Sequence, residues 1–137
     1  MTSFESPVKT IAANVETVFE TLSDLSNLER LRDRLPEDKI SDFRCDRDNC
    51  SFSASPAGNI AIRIVEREPY KTIKLETVES PVPFLIWIQL LPTPEDNTAM
   101  KLTLRAELNP FIRGMISKPL QEGINKIAEA ITLIPFD

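Results

Sequence analysis

The sequence predicts an α+β fold in which an antiparallel sheet packs against a long C-terminal helix. Residues 38 to 109 alternate apolar and polar side chains with a period of two, which is typical of strands. The closing segment, residues 110 to 136, instead spaces its apolar side chains three and four apart, as on one face of a helix. The strands follow one another as a meander and do not alternate with helices, which disfavours a parallel β-α-β layout.

Composition limits the class of protein. The 137 residues predict one domain, residues 1 to 137, with one core. The formal net charge of −5 argues against a nucleic-acid groove, so no nucleic-acid partner is expected. The chain has no histidine and only two cysteines, which excludes imidazole ligation and histidine-based catalysis and disfavours a zinc site. We therefore predict neither a cofactor nor a metal.

The start of the chain has none of the features of a secretion signal. It lacks a basic region followed by an apolar one, and no run of eighteen apolar residues occurs anywhere in the sequence. We therefore expect no integral membrane association and a cytoplasmic location.

The first part of the chain predicts one strand and two short helices. Residues 3 to 11 form the predicted strand, and Asn14 is the expected N-cap of a helix over residues 15 to 22. A second helix is predicted after Ser26, because Ser26 and Glu29 have the spacing of a capping box.

Two cysteines flank the first predicted turn of the sheet. A polar turn at residues 46 to 49 would place Cys45 opposite Cys50. Phe43 would then lie opposite Phe52, with all four side chains on the inner face. In a reducing cytosol we interpret the cysteines as two small buried hydrophobic residues. A cross-strand disulfide and a redox pair are the alternatives.

A second turn, near residues 68 to 71, sets the register of the next pair of strands. Counting back through this turn places Leu75 opposite Ile64 and Lys74 opposite Val65.

The most apolar strand covers residues 84 to 91, which include one polar residue. This predicts that both faces of the strand are covered, the second by another element or by a neighbouring molecule. Trp87 has the opposite parity to the inner-face residues, so we expect it on the convex face, at a subunit contact or at the rim. A homodimer is therefore one candidate assembly.

The order of elements resembles the SRPBCC superfamily, also called the START-like or birch-pollen-allergen-like helix-grip fold. The resemblance is carried by Val15-Glu-Thr-Val-Phe-Glu-Thr-Leu22, by the turn at Ser26 and by Asn109-Pro-Phe-Ile-Arg-Gly-Met115 before the long helix. It implies a curved seven-stranded antiparallel sheet wrapped around the C-terminal helix, with two short helices after the first strand.

Members of this superfamily enclose a hydrophobic cavity between sheet and helix. They include lipid and sterol carriers, plant hormone receptors and polyketide cyclases or aromatases. They share no universal catalytic motif, so the resemblance assigns no catalytic residue to this chain.

Strand parity and the helical stripe together predict the lining of a cavity for a small hydrophobic ligand. The inner faces of the strands form one wall and the apolar face of the closing helix forms the other. The predicted lining residues are Phe43, Phe52, Ile62, Ile64, Leu75, Ile86, Ile88, Met100, Leu102 and Leu104 from the sheet and Met115, Leu120, Ile124 and Ile127 from the helix. The alternative is a filled core in which these side chains pack on one another.

Pro119 and Gly123 interrupt the pattern of the closing helix. Pro119 removes a backbone donor, which predicts either a bend or a new helix start capped by Ser117. Gly123 either opens space above the sheet for a ligand or permits close packing against it.

The leading functional hypothesis is non-catalytic binding of a lipid or an aromatic metabolite, by a carrier or a sensor. One alternative is a polyketide cyclase- or aromatase-like enzyme, which needs polar groups inside its pocket. The other is an interaction or oligomerisation module with a filled core. Parity places most acidic residues outward or in turns, which disfavours a carboxylate pair for acid–base catalysis.

Overall fold

The computed structural model describes residues 2–34, 40–54 and 58–136. In chain order the elements are β1 (Thr2–Glu5), β2 (Lys9–Ile11), α1 (Val15–Leu22), a 3₁₀ helix (Leu25–Arg34), β3 (Ile40–Cys45), β4 (Asn49–Ala54), β5 (Gly58–Glu68), β6 (Thr72–Glu79), β7 (Phe84–Pro92), β8 (Thr98–Ala106) and α2 (Pro110–Ile131). The strands form one antiparallel sheet in the order β1-β8-β7-β6-β5-β4-β3, and β2 also pairs with β8. The predicted α+β class and the sheet with a long C-terminal helix are confirmed.

The first strand is divided into two pieces, where the sequence predicts one strand from residue 3 to residue 11. β1 and β2 both pair with β8, so the seven predicted strand positions hold eight strands. At the break, the amide of Ser6 donates to the carbonyl oxygen of Leu102, and the Ser6 hydroxyl oxygen accepts from the Leu102 amide, each at 2.9 Å. The next residue, Pro7, has no amide hydrogen to offer to a strand ladder.

Both α-helices begin with an asparagine cap, as the sequence predicts for α1. The Asn14 side chain accepts from the amide of Thr17, and the Asn109 side chain accepts from the amide of Ile112, each at 2.8 Å. Pro110 follows the second cap and occupies the first turn, where a missing amide hydrogen costs no intrahelical bond.

The capping box predicted at Ser26 is wrong. The Asp24 carboxylate accepts from the amide of Ser26 at 3.0 Å and from its hydroxyl at 2.5 Å, so the Ser26 side chain does not cap a helix. Glu29 Oε1 accepts from the amide of Cys45 at 2.7 Å. The segment forms a 3₁₀ helix that already begins at Leu25, and Glu29 contacts the edge strand β3, a tertiary contact that sequence spacing does not reveal.

The two cysteines form a disulfide, so their interpretation as two unlinked buried hydrophobic residues is wrong. The predicted register is confirmed, because Cys45 lies opposite Cys50 with a Cα–Cα distance of 4.1 Å. The Cys45 amide donates to Glu29 and not across the ladder, as expected of a pair without mutual backbone hydrogen bonds. In such a pair the side chains approach closely enough for the sulfurs to bond.

Two bulges modify the predicted registers. The pairing of β3 with β4 shifts between Ser41 and Arg44, where Asp42 has a φ of 54°. Phe43 nevertheless shares a face with Phe52, since their ring centroids lie 6.1 Å apart.

The second bulge lies at Val65 in β5. Ile64 pairs with Leu75 as predicted, but Lys74 pairs with Glu66 and not with Val65. A bulge inserts one unpaired residue, so every later residue of the strand moves along by one position.

Helix α2 runs without interruption through Pro119. The predicted new start at Ser117 is wrong, because the Ser117 hydroxyl donates back to the carbonyl oxygen of Arg113 at 2.5 Å. The helix packs against β1, β8 and the 3₁₀ helix. Near its middle, Gln121 Nε2 donates to the carbonyl oxygen of Glu5 at 2.8 Å, which ties α2 to the sheet edge.

Candidate ligand-binding cleft

Helix α2 has two adjacent apolar stripes that differ in burial. The sealed stripe comprises Ile124, Ala128 and Ile131, each at most 2% exposed. The open stripe recurs three or four residues apart along the same helix and is only partly covered. Its members are Ile112, Ile116, Leu120, Gly123 and Ile127. The open stripe therefore leaves apolar surface that the chain itself does not fully bury.

The last two residues of the open stripe have little packed against them. A Cβ atom added to Gly123 would meet nothing within 4 Å, and Ile127 is 38% exposed. Close helix–sheet packing therefore does not explain the glycine at position 123, and the opening of space above the sheet for a ligand stays a prediction.

The inner face of the sheet shows the same gradient of burial. Its centre, on β6, β7 and β8, is at most 5% exposed, at Ile73, Leu75, Ile88, Met100, Leu102 and Leu104. Towards β3, β4, β5 and the start of β7 the inner-face side chains are only half-buried, at Phe43, Phe52, Ile60, Ile62, Phe84 and Ile86.

The two half-buried regions lie at the same end of the molecule. Ala106, the last residue of β8, pairs with Phe84, and α2 begins four residues later at Pro110. On the neighbouring strand, the Thr77 hydroxyl oxygen accepts from the amide of Phe84 at 3.3 Å, and Thr77 pairs with Ile62. The first half of α2 thus starts at the edge of the half-buried sheet region. We call these two half-buried apolar surfaces together the apolar cleft.

Thirteen of the fourteen predicted lining residues divide between the core and the apolar cleft. Six sheet residues belong to the core, with exposures of 8% or less: Ile64, Leu75, Ile88, Met100, Leu102 and Leu104. Four sheet residues are half-buried at the cleft: Phe43, Phe52, Ile62 and Ile86. On the helix, Leu120 and Ile127 belong to the open stripe and Ile124 belongs to the sealed one. Ligand contact by any of them stays a prediction.

Met115 does not lie where the sequence pattern predicts. It is 63% exposed and falls outside both stripes, because the predicted apolar arc was broader than the surface that the sheet covers. Conversely, the prediction omitted Ile112 and Ile116 from the lining, although their spacing with Leu120 was visible in the sequence. It also omitted Phe84, which has the same strand parity as Ile86.

None of the side chains named above for the apolar cleft is titratable. The polar member of the cleft, Thr77, already accepts a hydrogen bond from the backbone. One cation, Arg67, approaches the inner side elsewhere, and its guanidinium donates to the Ser23 carbonyl oxygen at 2.8 Å and to Asp48 at 2.5 Å. The cleft therefore suits uncharged apolar groups, since a bare charge there would lose hydration without a partner.

A depression of about 290 Å³ lies beside the disulfide. Its lining includes Arg44, Ser51, Ala61 and Val78, which alternate with the inner-face residues, and Val78 is 60% exposed. The lining also includes both cysteines and Ile62, so this open groove adjoins the half-buried sheet residues of the apolar cleft.

The turn beside this groove is held by the Asp46 carboxylate. The Asn49 side chain and the amides of Asn49 and Asp48 donate to it, which lowers the pKa of Asp46 below its ordinary value. Asp46 thus serves its own turn and is not available to the cleft.

Several solved structures share this architecture. Norcoclaurine synthase from Thalictrum flavum superposes with a TM-score of 0.73 at 16% identity, over 96% of this chain and 84% of that one. A START superfamily protein from Mycobacterium smegmatis gives 0.71 at 14% identity, over 95% and 94% of the two chains. A protein from Thermus thermophilus gives 0.67 at 16% identity, over 96% and 94%.

The sequence matches no established family profile and no curated protein sequence. At the identities of the structural matches, the likeness establishes a shared fold and transfers no activity. Within the described residues, no helix is both long enough and apolar enough to cross a membrane.

Proposed function

We propose that this chain, which has the helix-grip fold of the START-like SRPBCC superfamily, binds a small uncharged hydrophobic molecule in the apolar cleft. The observation that supports the proposal is the paired gradient of burial. The open stripe of α2 and the inner face of β3 to β5 are both apolar and both incompletely covered, at the same end of the molecule. A guest of lipid-like or aromatic character would cover both surfaces at once.

The expected driving force is burial of apolar surface. Removing about 200 Å² of cleft surface from water would contribute on the order of 5 kcal/mol, before the cost of immobilising the ligand. Specificity would then come mainly from the shape and length of the guest, because the residues named for the cleft offer few polar groups that could form hydrogen bonds with a ligand.

Binding is favoured over catalysis for the same reason. One of the similar structures is a synthase by name, and the resemblance includes cyclases and aromatases. General acid–base chemistry requires a positioned side chain that exchanges a proton near neutral pH. The described lining of the cleft carries no such group, which supports a carrier or sensor.

The proposal can be tested with a neutral fluorescent probe and a matched pair of leucine substitutions. N-phenyl-1-naphthylamine emits strongly only in an apolar site, so the protein should produce a saturable rise in its emission. Gly123→Leu adds a side chain to the open stripe and should weaken probe binding at least about tenfold, by occupying apolar volume that the guest would need.

Gly114→Leu is the control, because an added Cβ at Gly114 also meets nothing within 4 Å but lies outside the open stripe. It should bind the probe like the parent protein. The proposal is overturned if the parent protein produces no saturable rise, or if the two leucine variants bind the probe equally well. Circular dichroism of both variants establishes that each remains folded.

A further inference from the structure

The outer face of the sheet carries an aromatic and cationic surface that the proposed function does not use. Trp87 is half-buried on the outward side of β7, which agrees with its predicted parity. Lys74 Nζ lies 5.5 Å from the centre of its ring, and the Arg105 guanidinium carbon lies 6.0 Å from it. Leu85 lies on the same face, next to Arg105 in the register. We call these four residues the Trp87 patch.

The two cations of the Trp87 patch lack carboxylate partners among the described residues. Nearby cations are neutralised: Arg63 pairs with Glu76 at 2.6 Å, and Lys101 pairs with Glu5 at 3.0 Å. Glu66 lies opposite Lys74 in the register without forming an ion pair with it. A chain with a net charge of −5 thus has two uncompensated positive charges around its only tryptophan.

The outer side of β7 is incompletely covered, since Leu85 and Trp87 are half-buried and Gln89 is exposed, although the sequence predicts coverage on both faces. Lys74 and Arg105 partly shield Trp87, and farther along the strand Leu91 is 67% exposed. Tryptophan and arginine are enriched among residues that dominate binding energy at protein interfaces. The surface therefore has the composition of an interface centre and a defined charge preference.

We propose that the Trp87 patch docks an acidic segment of another protein that carries apolar side chains beside its carboxylates. The carboxylates would pair with Lys74 and Arg105, and the apolar side chains would cover Leu85 and the edge of Trp87. Electrostatic complementarity selects this partner, because the patch is positive on a negative molecule.

Other occupants fit less well. A second copy that used the same patch in a two-fold contact would bring like charges together. Nucleic acid would meet the net negative charge of the chain. A lipid surface would meet a half-buried tryptophan that two cations accompany, and not a fully exposed side chain that can insert.

The single tryptophan makes the test direct. A short synthetic peptide of glutamate, leucine and phenylalanine should change the emission of Trp87 in a saturable way, with an affinity that falls as salt rises. The double substitution Lys74→Gln/Arg105→Gln should weaken the affinity about tenfold or more. Lys126→Gln, which removes a charge from the exposed face of α2, should leave the affinity unchanged.

Several results would overturn the proposal. They are the absence of any change in Trp87 emission with the acidic peptide, equal binding of a peptide with lysine in place of glutamate, and equal loss of affinity in Lys126→Gln. A response to phosphatidylglycerol vesicles or polyuridine without a response to the peptide would assign the patch to a different class of partner. A change in Trp87 emission with protein concentration alone would assign it to a second copy of the chain.

Discussion

Gly58 and Gly123 differ in whether the position requires a glycine. Gly58 has a φ of +107°, which an L side chain rarely adopts, although an added Cβ would come no closer than 3.7 Å to Pro81. Gly123 has helical geometry and open space around it. One glycine is needed for its backbone conformation, whereas the other costs the helix stability.

Alanine at the two positions should therefore change stability in opposite directions. We expect Gly58→Ala to lower the free energy of unfolding by about 1 kcal/mol and Gly123→Ala to raise it by up to about 1 kcal/mol. Urea unfolding followed by circular dichroism measures both values. A change of the same sign in the two variants would contradict the assignment.

At the residue scale, strand parity predicted which side chains share a face wherever the ladder is regular. It placed Ile64 opposite Leu75 and Cys45 opposite Cys50. It was wrong in placing Lys74 opposite Val65, because a bulge at Val65 shifts the register. No residue type in the sequence marks this bulge, which depends on how β5 pairs with β6. The disulfide was only an alternative in the sequence analysis. The register predicts that the two cysteines are close, but bond formation also depends on the redox state of the compartment. A reducing cytosol was assumed there.

At the scale of elements, the hairpin of β3 and β4 is fastened by more than its disulfide. The amide of Leu25 donates to the carbonyl oxygen of Arg47, and the amide of Ile64 donates to that of Asp48, each at 2.8 Å. These contacts hold the turn independently of the sulfurs, so the hairpin should remain paired when the bridge is opened.

Opening the Cys45–Cys50 bridge should lower stability without unfolding the protein. For so short a loop, the loss of the cross-link costs about 2 kcal/mol of unfolding free energy. Urea unfolding with and without dithiothreitol measures the effect. The Cys45→Ala/Cys50→Ala variant should be insensitive to the reductant, and an equal response of the two proteins would show that the reductant acts elsewhere.

The long helix shows what an amphipathic pattern can predict and what it cannot. Its position and its contact with the sheet followed from spacing alone. The division into a sealed stripe and an open stripe could not be predicted from spacing, because the residues of both stripes are apolar. Ile124 and Ile127 look equivalent in the sequence but are 2% and 38% exposed, since only the sheet decides which of them is covered.

At the scale of the whole molecule, the order of elements was sufficient to predict the fold. The location of the apolar cleft was not predictable, because it depends on where β8 ends relative to β7 and hence where α2 begins. The sequence named the residue types that line the cleft, and four of the ten sheet residues it selected are half-buried there.

Pro119 gives the two halves of α2 different resistance to local opening. It offers no amide to the carbonyl oxygen of Met115, so the helix loses one internal bond before the sealed stripe begins at Ile124. The first turns can therefore separate from the sheet while the last turns remain in place. We expect the proposed guest to enter by this partial opening, without global unfolding.

Amide hydrogen exchange should record this asymmetry. We expect residues 114 to 118 to exchange faster than residues 124 to 131, and a bound hydrophobic probe to slow the first group more than the second. Mass spectrometry of peptic fragments distinguishes the two groups, and equal protection across Pro119 would contradict the expectation. The missing amide would then be more than an irregularity of the helix: it would set the end of the molecule at which a guest enters and leaves.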